Sequence, residues 1–537
     1  MNDQQMAFDQ ALAALQGLGL PDLLPKLHEG GIAISRTVLG GSHSVAIYPP
    51  IDSYQPMTAA RVLDAIDLDG DTSLYIHIPF CETRCTFCHY SVEQFSGRHK
   101  AEDSRTALVT RYLGALGREL ALWAARAPGS RISSIYIGGG TPLVLEAGEL
   151  LGLLETVRRL FAVREDAEIC VEASPLTLTA ADGRDKLRAL REGGVTRLSF
   201  GVQSFDDEVL RYGARGYRRD TAIRAAGIAA DIFDNWNLDL IQGLYHGSPQ
   251  ESWANLQVLA ELEPAHITWY HGRFADRPQG EWYHSQARHT QFEGEFETLL
   301  GRMLIWQGVE RLGYMRNDGN RFAHRSMHVD RFKGIRTSLS VNMLGVGASS
   351  YSHVATRPGA ANMFGYAFRN DPDVRGYVER IEAGELPITS GRRIDGEELL
   401  AMSYATGLRQ GRIEDEALVG ARLRHPEVAA RYQAMADALA DLGVIERRVV
   451  SDGREYLRLS ELGRLFEDEV LAHFFSPAVR FALAAGTART GRAPRPARRP
   501  IEQPGSGAGP GPSGGFDPAT RSDRSTLETR APALSLP

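Results

Sequence analysis

The chain has 537 residues, 43% of them hydrophobic and 24% charged, with a formal net charge of −7. That length asks for more than one core, and the acidic balance argues against a dedicated nucleic-acid binder, which is usually basic. Four cysteines do not make a secreted disulfide scaffold. No apolar run is long enough to span a bilayer, and the opening MNDQQMAFDQALAALQGLGL lacks the basic n-region of a signal peptide. A cytoplasmic location, with neither nucleic acid nor membrane as partner, is the expectation.

In chain order, residues 1–70 read as a helical and irregular N-terminal segment that includes the linker IYPPIDSYQP. Short β-rich runs then alternate with longer amphipathic stretches. The runs are SLYIHIP (73–79), SSIYIGGG (133–140), EICVEA (168–173), TRLSFGVQ (196–203), NLDLIQGL (237–244) and HITWYHG (266–272). Segments such as ELLGLLETVRRLF and ESWANLQVLAEL between them carry apolar residues at helical spacing. Strand–helix alternation of this kind predicts parallel βα units. About six units over 71–275 fit a partial (β/α)6 barrel better than a full eight-fold one, with a doubly wound open sheet as the alternative. Residues 276–390 read as a mixed α/β extension containing NMLGVGASSYSH, and 391–480 as a small helical domain of winged-helix-like pattern. From 486 to 537 the text turns to Gly, Pro, Arg and Ser, too poor in large apolar residues to offset its ordering entropy, so a disordered tail is expected. Its arginines (Arg492, Arg495, Arg498, Arg499) are read as solvated rather than as a polyanion site.

Each β-rich run closes on something chemically marked: His77 and Cys81, Gly138 to Thr141, Glu172, Gln203, Asp239, and His271 with Gly272. In parallel α/β folds the strand C-termini converge on one face, where sites are assembled. The most concentrated signal is HIPFCETRCTFCHY (77–90), which holds Cys81, Cys85 and Cys88 at Cys-x3-Cys-x2-Cys spacing. A structural zinc that borrows His77 or His89 is one reading. A disulfide is another, although it leaves one thiol over. Three soft thiolates on a loop after a strand suit an iron–sulfur cluster better, with one iron left open for chemistry. Cys170 reads as core packing.

These residues resemble the radical S-adenosylmethionine (SAM) enzymes, whose cysteine motif matches Cys81-Glu-Thr-Arg-Cys85-Thr-Phe87-Cys88. YIHIPFC, GGGTP, VEASP, RLSFGVQSF, NLDLIQGL and LSELGRLFEDEV follow, in order, the motifs of the oxygen-independent coproporphyrinogen III oxidase-like group. The resemblance implies a 4Fe-4S cluster on Cys81, Cys85 and Cys88, and one or two SAM molecules. It also implies reductive SAM cleavage to a 5′-deoxyadenosyl radical, fed by a one-electron donor such as flavodoxin or ferredoxin. By matched position, Tyr75, Phe87, Gly138, Gly139, Gly140, Thr141, Glu172, Gln203, Arg215, Asp239 and Gly272 are implied to serve SAM. In that scheme Phe87 meets the adenine and Arg215 pairs with a SAM carboxylate. Tyr270 and His271 are the candidates for substrate or proton handling.

The chain departs from this group at informative places. Tyr90 stands where the oxidase carries a further cysteine. His328-Val-Asp-Arg-Phe332-Lys333 keeps only part of the His-Asn-x-x-Tyr-Trp stretch of the haem chaperones. GLYHGSPQ (243–250) and TWYHGRFADRP (268–278) replace the usual loop text, and the substrate side therefore reads as divergent. On that basis the expected reaction is methyl or methylene transfer to an sp² carbon of a specialised small-molecule metabolite, as in class C radical SAM methyltransferases. The alternatives are a coproporphyrinogen-oxidase-like tetrapyrrole oxidoreductase and a haem-delivery chaperone without turnover. Arg273, Arg277, Arg316, Arg321, Arg325, Arg331 and Arg336 are a possible carboxylate-binding set, although solvated surface is the expectation for most of them.

Overall fold

All six β-rich runs form strands, and all six run parallel. They are β1 (Gly70–Ile78), β2 (Ser130–Gly139), β3 (Ala162–Ala173), β4 (Arg197–Gln203), β5 (Trp236–Gln242) and β6 (His266–His271), paired in sequence order. Between them lie α1 (Glu102–Ala124), α2 (Ala147–Leu160), α3 (Gly183–Glu192), α4 (Arg219–Ile232) and α5 (Pro249–Leu262). This is a computed structural model. It describes residues 2–489 except 35–46, 95–101, 273–293, 325–331, 333–340, 356–364, 415–421 and positions 64, 65, 67, 89, 246, 319, 410, 412, 450–452 and 454.

Local chemistry accounts for the elements. Residues 72–78 of β1 are buried without interruption, as expected of a strand covered on both faces. In α2, Glu146 and Glu149 form a reciprocal capping box, and Leu150, Leu153, Leu154 and Val157 make one buried stripe. Helix α5 starts on Ser248, whose side chain accepts from the Glu251 N–H, with Pro249 in the first turn.

The sheet extends beyond the six strands on both sides. After α6 (Glu295–Arg311) come β7 (Tyr314–Asp318) and β8 (Arg321–His324), then β9 (Asn342–Val346), β10 (Tyr351–Ala355), β11 (Gly365–Asn370), α7 (Val374–Glu382) and β12 (Ile388–Ile394). The thirteen-stranded order is Gln55–Pro56, β12, β11, β10, β9, β1, β2, β3, β4, β5, β6, β8, β7. Strand β9, from the NMLGVG motif, lies parallel to β1 and covers its outer edge, and its five residues are all buried. The linker IYPPIDSYQP supplies the two-residue edge strand on β12.

Behind β1, Glu119 of α1 is fully buried and accepts from Gly347 N (2.8 Å), Tyr377 Oη (2.7 Å), Asn370 Nδ2 (2.7 Å) and Trp123 Nε1 (3.4 Å). Tyr112 donates to the His77 carbonyl (2.7 Å) and accepts from Ala348 N (3.0 Å). The turn after β9 is thereby pinned against the end of β1.

Residues 1–491 form one compact unit. Its last part holds α8 (Glu397–Arg409), α9 (Pro426–Asp441) and a small antiparallel sheet of β13 (Ile413–Glu414), β15 (Glu455–Leu459) and β14 (Ile445–Val449), in that order. The final helix, Pro477–Arg489, runs past Gly486, where the sequence had suggested that order ends. Among the described residues, no helix is long and apolar enough to cross a membrane.

Candidate active site

The C-terminal ends of β1 to β6 bring the marked residues to one edge of the sheet. The cysteine loop follows β1 directly and is tied down from both sides. Gly140 N donates to the Ile78 carbonyl and Thr141 N to the Phe80 carbonyl, both at 2.8 Å, while Thr86 N donates to the Gly213 carbonyl at 3.2 Å. A Cβ on Gly140 would stand 2.5 Å from the Phe80 oxygen and 3.0 Å from Cys81 Sγ, so this close approach requires glycine. Gly139 has φ +114°, and a Cβ there would strike the His77 ring at 2.5 Å.

No disulfide joins any of the four cysteines, which removes the disulfide reading. Cys81, Cys85 and Cys88 lie within electrostatic reach of one another, and Cys81 Sγ is 3.6 Å from Thr141 Oγ1. Burial pushes the Cys81 thiol up to about 12, a trend opposed by Thr141 and reinforced by the other two thiols. Cys88 shifts upward for the same first reason. Buried thiols resist ionising alone, and bound iron supplies the positive charge that makes them thiolates. Among the described residues no three His, Cys, Asp or Glu side chains form a ready-made metal cage. His89, one proposed zinc ligand, lies outside the described residues. The donor chemistry fits an iron–sulfur cluster: three soft ligands on one short loop, with glycine backbone packed against one sulfur.

Beside the loop, Glu172 near the end of β3 is held by two donors, Tyr136 Oη at 2.5 Å and Gly139 N at 3.0 Å. Tyr75 hydrogen-bonds to His77 Nδ1 at 2.9 Å, so its hydroxyl meets a protein group rather than pointing open. Burial lowers His77 to about 4, which keeps the imidazole neutral. Gln203 ends β4 at φ +75°, a left-handed conformation uncommon for a residue with a side chain and of the kind found at functional sites. Arg215 donates to Cys85 Sγ (2.7 Å), the Gly201 carbonyl (2.6 Å) and Tyr217 Oη (2.9 Å). Phe87 packs on Val209, Ile241 and Leu244, with the Arg215 guanidinium 5.9 Å from its ring centre.

Asp239 accepts from Asn237 Nδ2 at 2.7 Å but sits in the middle of β5 rather than at its end, because that strand continues to Gln242. On β6, Tyr270 is 40% exposed and His271 Nδ1 lies 2.9 Å from Gln242 Oε1, while Gly272 N donates to the Gln242 carbonyl at 2.7 Å. Gln242 Nε2 donates to the Thr298 carbonyl (3.1 Å), so its oxygen faces the histidine and Nδ1 must carry the proton. Tyr90, 54% exposed, lies within electrostatic reach of Tyr270, Glu172, Tyr351 and Cys88.

Tyr136 and Tyr217, which hold Glu172 and Arg215, carry no mark in the sequence reading. Tyr136 was findable by alternation, since it precedes Gly138 by two and shares its face. Cys170 shares the Glu172 face and is buried with Tyr75, Tyr136, Phe332 and Met343. Of the suggested carboxylate-binding arginines, Arg316 instead lies over Trp306, with its carbon 4.1 Å from the ring centre, and pairs with Glu461 at 3.4 Å. Arg321 is described too, on β8, whereas Arg273, Arg277, Arg325, Arg331 and Arg336 lie outside the described residues, as does most of 328–333.

An α/β sheet with a three-cysteine loop after its first parallel strand defines a class of protein. The Radical SAM superfamily model matches residues 75–262. The chain is similar to members of the oxygen-independent coproporphyrinogen III oxidase and HemW group. It is 36% identical over 199 residues to the heme chaperone HemW of Escherichia coli, covering 37% of this chain and 50% of that protein. It is 29% identical over 431 residues to the oxygen-independent coproporphyrinogen III oxidase of Bradyrhizobium diazoefficiens, covering 76% and 87%. Thus the chain spans half the length of the chaperone but most of the oxidase. Coproporphyrinogen III oxidase (HemN) from Escherichia coli has the same fold, with TM-score 0.67 and 22% identity over 80% of this chain and 96% of that one. The superfamily implies SAM and an iron–sulfur cluster as cofactors.

Proposed function

We propose that the chain is a radical SAM enzyme of the coproporphyrinogen-oxidase-like group, acting as an oxidoreductase on a tetrapyrrole-like small molecule. The observation that carries the chemistry is the convergence of three free, half-buried thiols with Glu172, Arg215 and the Gly138–Gly140 run at one sheet edge. The observation that favours oxidation over methyl transfer is the reach of the oxidase likeness across 76% of the chain. The methyl-transfer expectation has no comparable support.

In this reading Cys81, Cys85 and Cys88 hold a 4Fe-4S cluster, and 71–275 is an open partial barrel followed by the mixed extension and a winged-helix-like module. Bound there, the cluster and SAM would supply one-electron, hydrogen-abstracting chemistry. The chain's own part is to bind and orient. Gly138–Gly140 and Thr141 present backbone to the SAM amino group, while Glu172, locked by Tyr136 and Gly139, offers a fixed carboxylate. Gln203, Asp239 and Gly272 line the remainder of the SAM site, and Phe87 gives the adenine an apolar face. Tyr75, with His77, closes the methionine end. His271, whose Nδ1 meets Gln242, and its neighbour Tyr270 stand at the substrate side. Tyr90, where the oxidase has cysteine, marks a substrate face different from that enzyme's.

Anaerobic reconstitution should load about four iron and four sulfide per chain, and SAM with dithionite should then yield 5′-deoxyadenosine. Cys85→Ala should lower that yield at least about 100-fold and remove most of the iron. Retention of full iron would sink the ligand assignment. S-adenosylhomocysteine formed with substrate would restore the methyl-transfer reading, and stable haem binding without SAM cleavage would favour a chaperone.

A further inference from the structure

Arg215 is expected, by resemblance, to meet a carboxylate of SAM. Within the chain its partners are a phenol, a carbonyl and a thiol. Nε donates to Tyr217 Oη (2.9 Å), Nη2 to the Gly201 carbonyl (2.6 Å) and Nη1 to Cys85 Sγ (2.7 Å). Tyr217 is itself anchored, with its hydroxyl 3.0 Å from the Val202 carbonyl and 3.1 Å from that of Gly201. The guanidinium carbon stands 5.3 Å from the Tyr217 ring centre and 5.9 Å from that of Phe87. Three hydrogen bonds and two flanking rings hold this cation against the Cys85 sulfur.

We infer that Arg215 sets the reduction potential of the cluster through its charged N–H···S hydrogen bond to Cys85. The inference rests on the cluster assignment proposed above. One electron from an external one-electron donor adds one negative charge to the cluster. A fixed positive charge at a ligand sulfur stabilises that extra charge more than it stabilises the oxidised form. The potential therefore rises, and hydrogen bonds to cluster sulfurs are among the established ways a protein tunes it. Arg215 acts through Cys85 and is in this sense a positioning residue.

The test is an EPR-monitored redox titration of the reconstituted full chain without SAM, alongside SAM affinity measured separately. Arg215→Met should cut the reduction equilibrium at a given ambient potential about tenfold, a fall of ~59 mV for one electron. Tyr217→Phe keeps the charge but removes an anchor, and should shift the potential the same way by less. It is the deciding variant if Arg215→Met does not hold iron. Potentials equal to wild type would overturn the inference, and a tenfold weaker SAM affinity alongside them would return Arg215 to the role of SAM ligand. A wild-type chain that takes up no cluster would instead overturn the proposed function.

Discussion

Two carboxylates flank the same end of β1 and do opposite work. Behind it, Glu119 is fully buried and receives four protein donors, so its oxygens are committed to holding α1, β11, α7 and the turn after β9 together. In front, Glu172 is half-buried, fixed by one phenol and one backbone N–H, and stands among the residues of the candidate SAM site. What separates them is geometry. A carboxylate surrounded by donors from four elements is a fastener, whereas Glu172 takes the Tyr136 hydroxyl and the Gly139 N–H at the sheet edge where the marked residues meet.

The sharpest way to break this contrast is Glu119→Ala. Four donors would lose their acceptor in a site without water access, and the loss should be about 3 kcal/mol, read in urea denaturation of the reconstituted protein. SAM affinity in the fraction that folds should change less than about twofold. Next in size is Glu172→Gln, which keeps shape while removing charge. SAM binding should weaken about tenfold, equivalent to ~1.4 kcal/mol, with thermal stability within a few degrees of wild type. If Glu172→Gln unfolds the chain while Glu119→Ala weakens SAM binding, the assignment of roles is reversed.

The sequence made the strands visible but not this division of labour. The six runs are legible because parallel strands buried on both faces are written as continuous apolar text closing on polar or glycine residues. The cysteine loop is legible because sulfur is scarce in the chain. The Glu119 hub is not, since its partners lie 4, 228, 251 and 258 positions away and nothing local marks a buried glutamate in an amphipathic helix. Arg215 on Cys85 spans 130 positions and depends on the fold of the loop after β4. The placement of Asp239 at a strand end failed because β5 runs three residues further, and strand ends are set by where pairing stops rather than by where a charge appears. Strand β9 beside β1 lies in NMLGVGASSYSH, a stretch that the sequence assigns only to a mixed α/β extension, without its pairing partner.

A third carboxylate lies between these extremes. Glu251, in the first turn of α5, accepts from Ser204 Oγ at 3.1 Å, and its other oxygen has no hydrogen-bond partner among the described residues. Burial, with a smaller push from Asp206, raises it to about 7, against the opposing pull of Ser204 and the Gly247 backbone. A carboxyl raised in the folded state stabilises the fold while protonated. That contribution is complete below the unfolded value near 4.5 and is lost as pH rises through about 7. Wild type should therefore lose up to ~2 kcal/mol between pH 5 and 8 from this group, smaller than the full shift implies because the site is not wholly dry. Glu251→Gln, uncharged throughout, should flatten that slope, so that its stability relative to wild type improves towards pH 8. Parallel denaturation curves at pH 5.5 and 8 measure it. Equal slopes would mean that Glu251 is ionised and solvated like a surface acid, and that Ser204, next to Gln203, is braced by a charge rather than by a neutral acid.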